Sequence, residues 1–226
     1  MKPLLSRFPD VPVLVAERSL MSRVVGFSVT RGYLAAFPRP RPLACGEVVE
    51  KARTVVCAEG LTDVSNVGAV FRSAAALGAD GVLVAPTCAD PLERRALRVS
   101  MGAVLRLPWA RTAADDEAPS GDGAPKEDGA PENGAVTWPQ GVIDLLHERG
   151  FACWALALGE GCVSLADERL ARPEKVAVFL GSEGWGLSEE VMRACDERVT
   201  IPMARNVDSL NVATAGAVAL WELARR

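Results

Sequence analysis

Short, continuous apolar runs recur through this chain, and each stops abruptly in small or polar residues before a helical pattern begins. Thr54-Val55-Val56-Cys57-Ala58 and Gly81-Val82-Leu83-Val84-Ala85 are two of them, and Val176-Ala177-Val178-Phe179-Leu180 is a third. A strand apolar at every position is covered on both faces, and strands that alternate with helices are joined by crossovers. The pattern predicts an α/β fold: a mostly parallel sheet covered by helices on both faces, preceded by a short N-terminal appendage.

Read in order, strands are expected at residues 54–58, 81–85, 103–107, 151–158, 175–180 and 198–201, with helices at 67–77, 91–100, 141–149, 188–195 and 210–226. The first fifty residues differ. Residues 11–16 read as a strand and 17–26 as a helix, and Pro38-Arg39-Pro40-Arg41-Pro42 is an extended breaker that reads as a linker. This divides the chain into a segment 1–50 and a main domain 51–226. A run of 18 strongly apolar residues and a signal-peptide pattern are both missing, so a soluble, cytoplasmic protein without membrane contact is expected.

The net charge of −4 argues against a nucleic-acid partner until the charges are located. Residues 112–136 hold seven carboxylates against the single Lys126, amid repeated Gly-Ala-Pro steps, so this insertion carries −6 and the rest of the chain +2. Such a composition cannot repay the entropy of ordering, and a disordered acidic surface insertion is expected. A basic RNA surface on the remainder would be a patch rather than a whole face. The six cysteines form no C-x-x-C pair and the only histidine is His147. Neither a disulfide framework nor a metal site is expected; the thiols read as reduced, mostly buried small hydrophobes.

Three clusters carry chemistry. Ser65-Asn66-Val67-Gly68-Ala69-Val70-Phe71-Arg72 opens a helix. Its ordinary reading is an N-cap at Ser65 or Asn66 with an exposed arginine; its functional reading uses the Arg72 fork to clamp a phosphate and polarise a neighbouring hydroxyl. Leu180-Gly181-Ser182-Glu183-Gly184-Trp185-Gly186-Leu187 follows an apolar strand. Its glycines permit sharp bending and close approach to a flat ligand, while Glu183 repels phosphate and no Lys-Ser/Thr completes a P-loop. A neutral or cationic ligand fits better. Ile201-Pro202-Met203 then runs into Asp208-Ser209-Leu210-Asn211-Val212-Ala213, where the ordinary reading is helix capping by Asp208 or Ser209.

In this order the clusters resemble the SpoU-type (TrmH-like) RNA 2′-O-ribose methyltransferases of the SPOUT superfamily, over roughly residues 53–226. The resemblance implies a C-terminal trefoil knot, which general topology rules disfavour, and a homodimer built on the final helices. It implies S-adenosylmethionine as cofactor, held at Leu180, Gly181, Ile201, Met203 and Leu210, and a 2′-hydroxyl oriented by Arg72 with Asn66, Glu183, Ser209 and Asn211. The partner implied is RNA, with rRNA favoured over tRNA, because residues 13–40 resemble the last third of the family's accessory RNA-binding domain. Arg94, Arg95 and Arg98 are candidates to meet the RNA backbone, and Trp185 to stack on a base.

Overall fold

The computed structural model describes residues 6–114, 136–159, 161–167, 170, 173–204 and 209–225. Most of the acidic insertion, residues 115–135, and Asp208 lie outside the described residues. The chain divides into two units, Met1–Arg39 and Pro40–Arg226, and the division falls in the proline-rich stretch.

Among its described residues the first unit holds one helix, α1 (Arg18–Val25), which ends at Gly26 in the left-handed region, φ 72°. The strand expected at 11–16 is not formed. Leu14 and Val15 are each 94% exposed, and an apolar run without a neighbouring strand has nowhere to place its hydrogen bonds.

The second unit is built on a seven-stranded sheet in the order β3-β2-β1-β6-β4-β7-β5. The strands are β1 (Thr54–Ala58), β2 (Gly81–Val84), β3 (Trp109–Arg111), β4 (Ala152–Leu156), β5 (Val163–Ser164), β6 (Val176–Leu180) and β7 (Glu197–Thr200). Every pairing is parallel. β6 is the centre: Val178 lies between Val56 of β1 and Trp154 of β4, and all five of its residues are buried. The continuous apolar runs are thus the inner strands, where burial of a single Phe or Val contributes about 1.5–3 kcal/mol.

Six helices of this unit lie among the described residues: α2 (Cys45–Val49), α3 (Val64–Ala76), α4 (Arg94–Val99), α5 (Gln140–Glu148), α6 (Glu189–Ala194) and α7 (Val212–Arg225). Cys45, Val48 and Val49 on α2 are buried in the core of this second unit. The two faces of the sheet can be read from β6, because successive side chains on a strand point opposite ways. Phe179 packs on Trp138, just before α5, with ring centroids 5.8 Å apart; Leu180 packs toward α7, where a Cβ on Gly216 would lie 2.7 Å from Leu180 Cδ1. Helices therefore cover both faces. α3 packs on α4 and α7, and Gly68 permits the first contact, since a Cβ there would meet Ala96 O at 2.8 Å.

One strand was misplaced by the pattern. Residues 103–107 do not form a strand; Ala103–Leu105 is a 3-10 turn entered from Gly102 at φ 77°, and the strand is Trp109–Arg111. Trp109 packs edge-on against Phe71 of α3 at 6.0 Å. The ends of the acidic segment emerge together, Ala113 N donating to Val136 O at 3.0 Å and Trp138 N to Ala113 O at 3.0 Å.

Candidate active site

The glycine cluster leaves β6 as a closed turn. Ser182 N donates to Gly186 O at 3.0 Å and Gly186 N returns a bond to Ser182 O at 2.9 Å, while Ser182 Oγ accepts from Trp185 N at 3.2 Å. A Cβ on Gly181 would lie 2.1 Å from the Gly186 carbonyl carbon, and Gly186 has φ +70°. Glycine is required at both: one for space, the other for conformation. The turn then enters α6, capped by Ser188, whose Oγ accepts from Val191 N at 3.3 Å.

Glu59, immediately after β1, fixes that exit. Its carboxylate accepts from Ser188 N at 2.7 Å, Ser188 Oγ at 3.0 Å and Trp138 Nε1 at 2.8 Å. The sequence reading missed Glu59; its only signal was a carboxylate closing an apolar strand. Arg111 was missed as well. Its guanidinium donates to the carbonyls of Ala85, Pro86, Cys88 and Ala89, bracing a loop that in turn bonds the loop after β1 through Ala89 N and Leu61 O at 2.9 Å.

The first and third clusters meet the second at one side chain. Asn211 Nδ2 donates to Asn66 Oδ1 at 3.0 Å and to Glu183 Oε1 in a short hydrogen bond. Its other end, Oδ1, accepts from Ala213 N at 3.0 Å and Thr214 N at 3.4 Å. Asn211 is therefore the cap of α7, replacing the capping expected of Asp208 or Ser209. The cap of α3 also differs from expectation: Asp63, whose side chain accepts from Ser65 N at 2.7 Å, caps the helix and leaves Asn66 free to face Asn211. That bond, over desolvation, holds the Asp63 carboxyl below its ordinary range.

Arg72 is not part of this hydrogen-bonded group. Six residues beyond Asn66 on α3, it stands about 9 Å further along the axis and on another side of the helix. It is exposed.

Asn211 and Glu183 stand beside a cavity of about 370 Å³ at the carboxyl ends of β4, β6 and β7, the position at which open α/β sheets bind ligands. Leu180, Gly181, Ile201, Met203 and Leu210, together with Ser209 and Glu183, all line it. Its walls are otherwise mainly aliphatic, and among the described lining residues Glu183 is the one ionisable side chain. The volume suits a nucleoside-sized ligand. The donor set suits a neutral or cationic one, because among the described lining residues a phosphate would meet a carboxylate and no lysine or arginine. S-adenosylmethionine, an adenosyl group carrying a sulfonium, fits on both counts.

His147 lies elsewhere, at the amino ends of the strands. Its Nε2 is 3.2 Å from Asp196 Oδ2, which also accepts from Cys153 N at 2.7 Å. The ligand atoms of His147, Cys153 and Asp196 fall within 4.8 Å of one another, a grouping that sequence separation concealed. Burial, with Asp196 adding to it, pushes the Cys153 thiol up to about 12, so the sulfur is a protonated core group. All six cysteines are free, four of them buried. Among the described residues no helix is long and apolar enough to cross a membrane.

An all-parallel α/β sheet with three loop clusters converging on a cavity of this chemistry defines a small-molecule-binding enzyme-type fold with its site at the strand carboxyl ends. The chain belongs to the SpoU rRNA Methylase family, whose model matches residues 53–119 and 135–221. It is 40% identical over 215 residues to an uncharacterized tRNA/rRNA methyltransferase of Mycobacterium tuberculosis, covering 95% of this chain and 66% of the relative. It is similar to the AdoMet-bound rRNA methyltransferase from Sinorhizobium meliloti, with TM-score 0.65, 26% identity, and coverage of 82% of this chain and 61% of that one. The AdoMet complex of the SpoU methyltransferase AviRb from Streptomyces viridochromogenes matches at TM-score 0.64 and 25% identity, over 82% of this chain and 65% of that one. The chain thus spans about two thirds or less of the length of these relatives.

Proposed function

We propose that this protein is an S-adenosylmethionine-dependent RNA methyltransferase acting on a ribose 2′-hydroxyl, with rRNA the favoured substrate class. The observation that carries the reading is the meeting of Asn66, Glu183 and Asn211 beside a cavity whose single described ionisable lining group is a carboxylate. Family membership and the AdoMet-bound relatives support it.

In this reading Leu180, Gly181, Ile201, Met203 and Leu210 hold the adenosyl group. S-adenosylmethionine, when bound, supplies a methyl carbon activated by its sulfonium. Glu183, kept in place by Asn211, sets a negative charge beside that cationic centre, and Ser209 and Asn66 flank the approach of the target ribose. Arg72, further along α3, clamps the neighbouring phosphate and polarises the 2′-hydroxyl. Fixing oxygen and methyl carbon in line contributes roughly 7–11 kcal/mol to such a step. The exposed Arg95 and Arg98 on α4 extend the RNA track, since α4 packs on the helix that carries Arg72.

The reading includes the family's trefoil knot, a homodimer and a cytoplasmic location. Exposed Val218 and Trp221 on α7 support pairing of two copies along that helix. rRNA is preferred to tRNA on the likeness of the first unit to an accessory domain of rRNA-directed enzymes.

The test is transfer of labelled methyl from S-adenosylmethionine to total RNA lacking the modification, followed by mapping of ribose-methylated positions. A single 2′-O site in rRNA is the expected result. Label on a base, or on tRNA alone, contradicts the corresponding part of the reading.

A further inference from the structure

We infer that Trp185 is the platform on which the base of the target nucleotide stacks, so that the enzyme takes an unpaired, splayed-out nucleotide rather than one held in a duplex. The inference rests on the methyltransferase reading above and names how that same site selects its substrate.

Trp185 is 95% exposed, whereas Trp138 and Trp154 are buried. That indole is carried on a turn whose backbone is closed by two Ser182–Gly186 bonds and by the Trp185 backbone N–H donating to Ser182 Oγ. The turn is open on its outer side, where a Cβ on Gly184 or on Gly186 would meet nothing within 4 Å, and Trp185 also borders the cavity. The turn therefore places an exposed aromatic side chain at the mouth of the cavity.

The same tip carries Glu183, whose carboxylate is bonded to Asn211. Two residues span at most about 7 Å of chain, so the indole stands within one nucleotide's reach of that group. A ribose whose 2′-hydroxyl lies at Glu183 and Asn211 carries its base on the adjacent ring carbon, and that base must leave the cavity and find a surface. Trp185 is the aromatic surface on offer, and aromatic side chains are the common receivers of splayed bases in single-stranded RNA. Trp185 borders the cavity, yet its 95% exposure leaves the indole open to a base arriving from outside.

The test compares wild type, Trp185→Ala and Trp185→Phe in the full chain. The probes are a mixed-sequence single-stranded oligoribonucleotide of about 12 nucleotides, the same sequence as a perfect duplex, and S-adenosylmethionine alone. The expected result is that Trp185→Ala binds the single strand about 10- to 100-fold more weakly, Trp185→Phe recovers most of the loss, and the duplex separates none of the three. Single-strand binding should also quench a fluorescence component that Trp185→Phe lacks, and cofactor affinity should stay within about twofold in all three. Equal single-strand binding by wild type and Trp185→Ala overturns the inference. So does a loss of cofactor affinity in Trp185→Ala, which would put the indole on the adenine, or a change in its mass by light scattering, which would put it on a second copy. Wild type that binds no S-adenosylmethionine would instead sink the underlying reading.

Discussion

The two ends of the sheet are made from the same strands and treat polar groups in opposite ways. At the amino ends three charged side chains, Asp80, Asp196 and Lys175, bond to the backbone beside them. Asp80 Oδ2 accepts from Arg53 N at 2.8 Å and Thr54 N at 2.9 Å, Asp196 Oδ2 accepts from Cys153 N at 2.7 Å, and Lys175 Nζ donates to Arg149 O at 2.9 Å. At the carboxyl ends the polar side chains bond to one another across long stretches of sequence, Asn66 to Asn211 to Glu183, beside an open cavity. One end satisfies strand termini, and its polar groups add stability. The other holds side chains in a fixed array that needs no partner to fold, and that array is available for a ligand.

This contrast can be broken first at Asn211. Asn211→Asp keeps the oxygen that caps α7 but replaces the donor with a second carboxylate facing Glu183. Methyl transfer should fall at least about 100-fold, the scale for losing one preorganised polar contact at a reacting centre, while the urea midpoint moves little because the cap survives. A fall in stability matching the fall in rate would show that the array is only a helix cap.

Gly181→Ala tests the cavity itself. Its Cβ would collide with the backbone of Gly186 and Leu187, which cannot rotate away, so the turn must open. Calorimetry should record at least a tenfold weaker S-adenosylmethionine affinity, about 1.4 kcal/mol.

At the opposite end Asp196→Ala should do the reverse. Leaving the Cys153 N–H without its acceptor should lower the unfolding free energy by about 1–3 kcal/mol, read from urea melts. Cofactor affinity should be unchanged, and a loss there would mean the two ends are coupled.

The smallest effect is on pH. Cys153 is pushed up to about 12, chiefly by burial, and Cys57 and Cys195 are raised by the same cause. Below the unfolded thiol value of about 8.5 both states are protonated and stability does not depend on these groups. Above it the unfolded chain ionises first, so stability is lost progressively as pH rises toward the folded values. Urea midpoints should therefore be flat with respect to these thiols near pH 7 to 8 and fall from about pH 9 upward, and a Cys153→Ala variant should lose part of that alkaline slope.

How far the sequence reached follows the same division. The inner strands were legible because burial on both faces leaves an unbroken apolar run, as in residues 176–180. The run at 103–107 is apolar except for Arg106 and misled, since a short apolar stretch does not distinguish a strand from a buried turn and Gly102 was a local sign of the turn. Residues 11–16 misled for the converse reason: β propensity without a neighbouring strand leaves the run exposed. In the site, the glycine turn and the aliphatic cavity positions were readable as motifs, residue by residue. What was not readable was which polar groups would touch. Asn66 and Asn211 lie 145 residues apart, and Asp63 and Asn211 cap the two helices where the ordinary reading named Ser65 or Asn66 and Asp208 or Ser209. Glu59 and Arg111 brace the loops through backbone atoms, and those bonds leave no pattern in side-chain spacing.

The central claim is that the cavity at the strand carboxyl ends is a cofactor site selective for a cationic adenosyl compound. Titration of the full chain with S-adenosylmethionine by calorimetry, beside ATP and beside the Glu183→Gln variant, tests it most directly. The account predicts saturable binding of one S-adenosylmethionine per chain, no measurable heat with ATP, and weaker S-adenosylmethionine binding in the variant. Binding of ATP in preference, or of neither ligand by the folded wild-type chain, would contradict it.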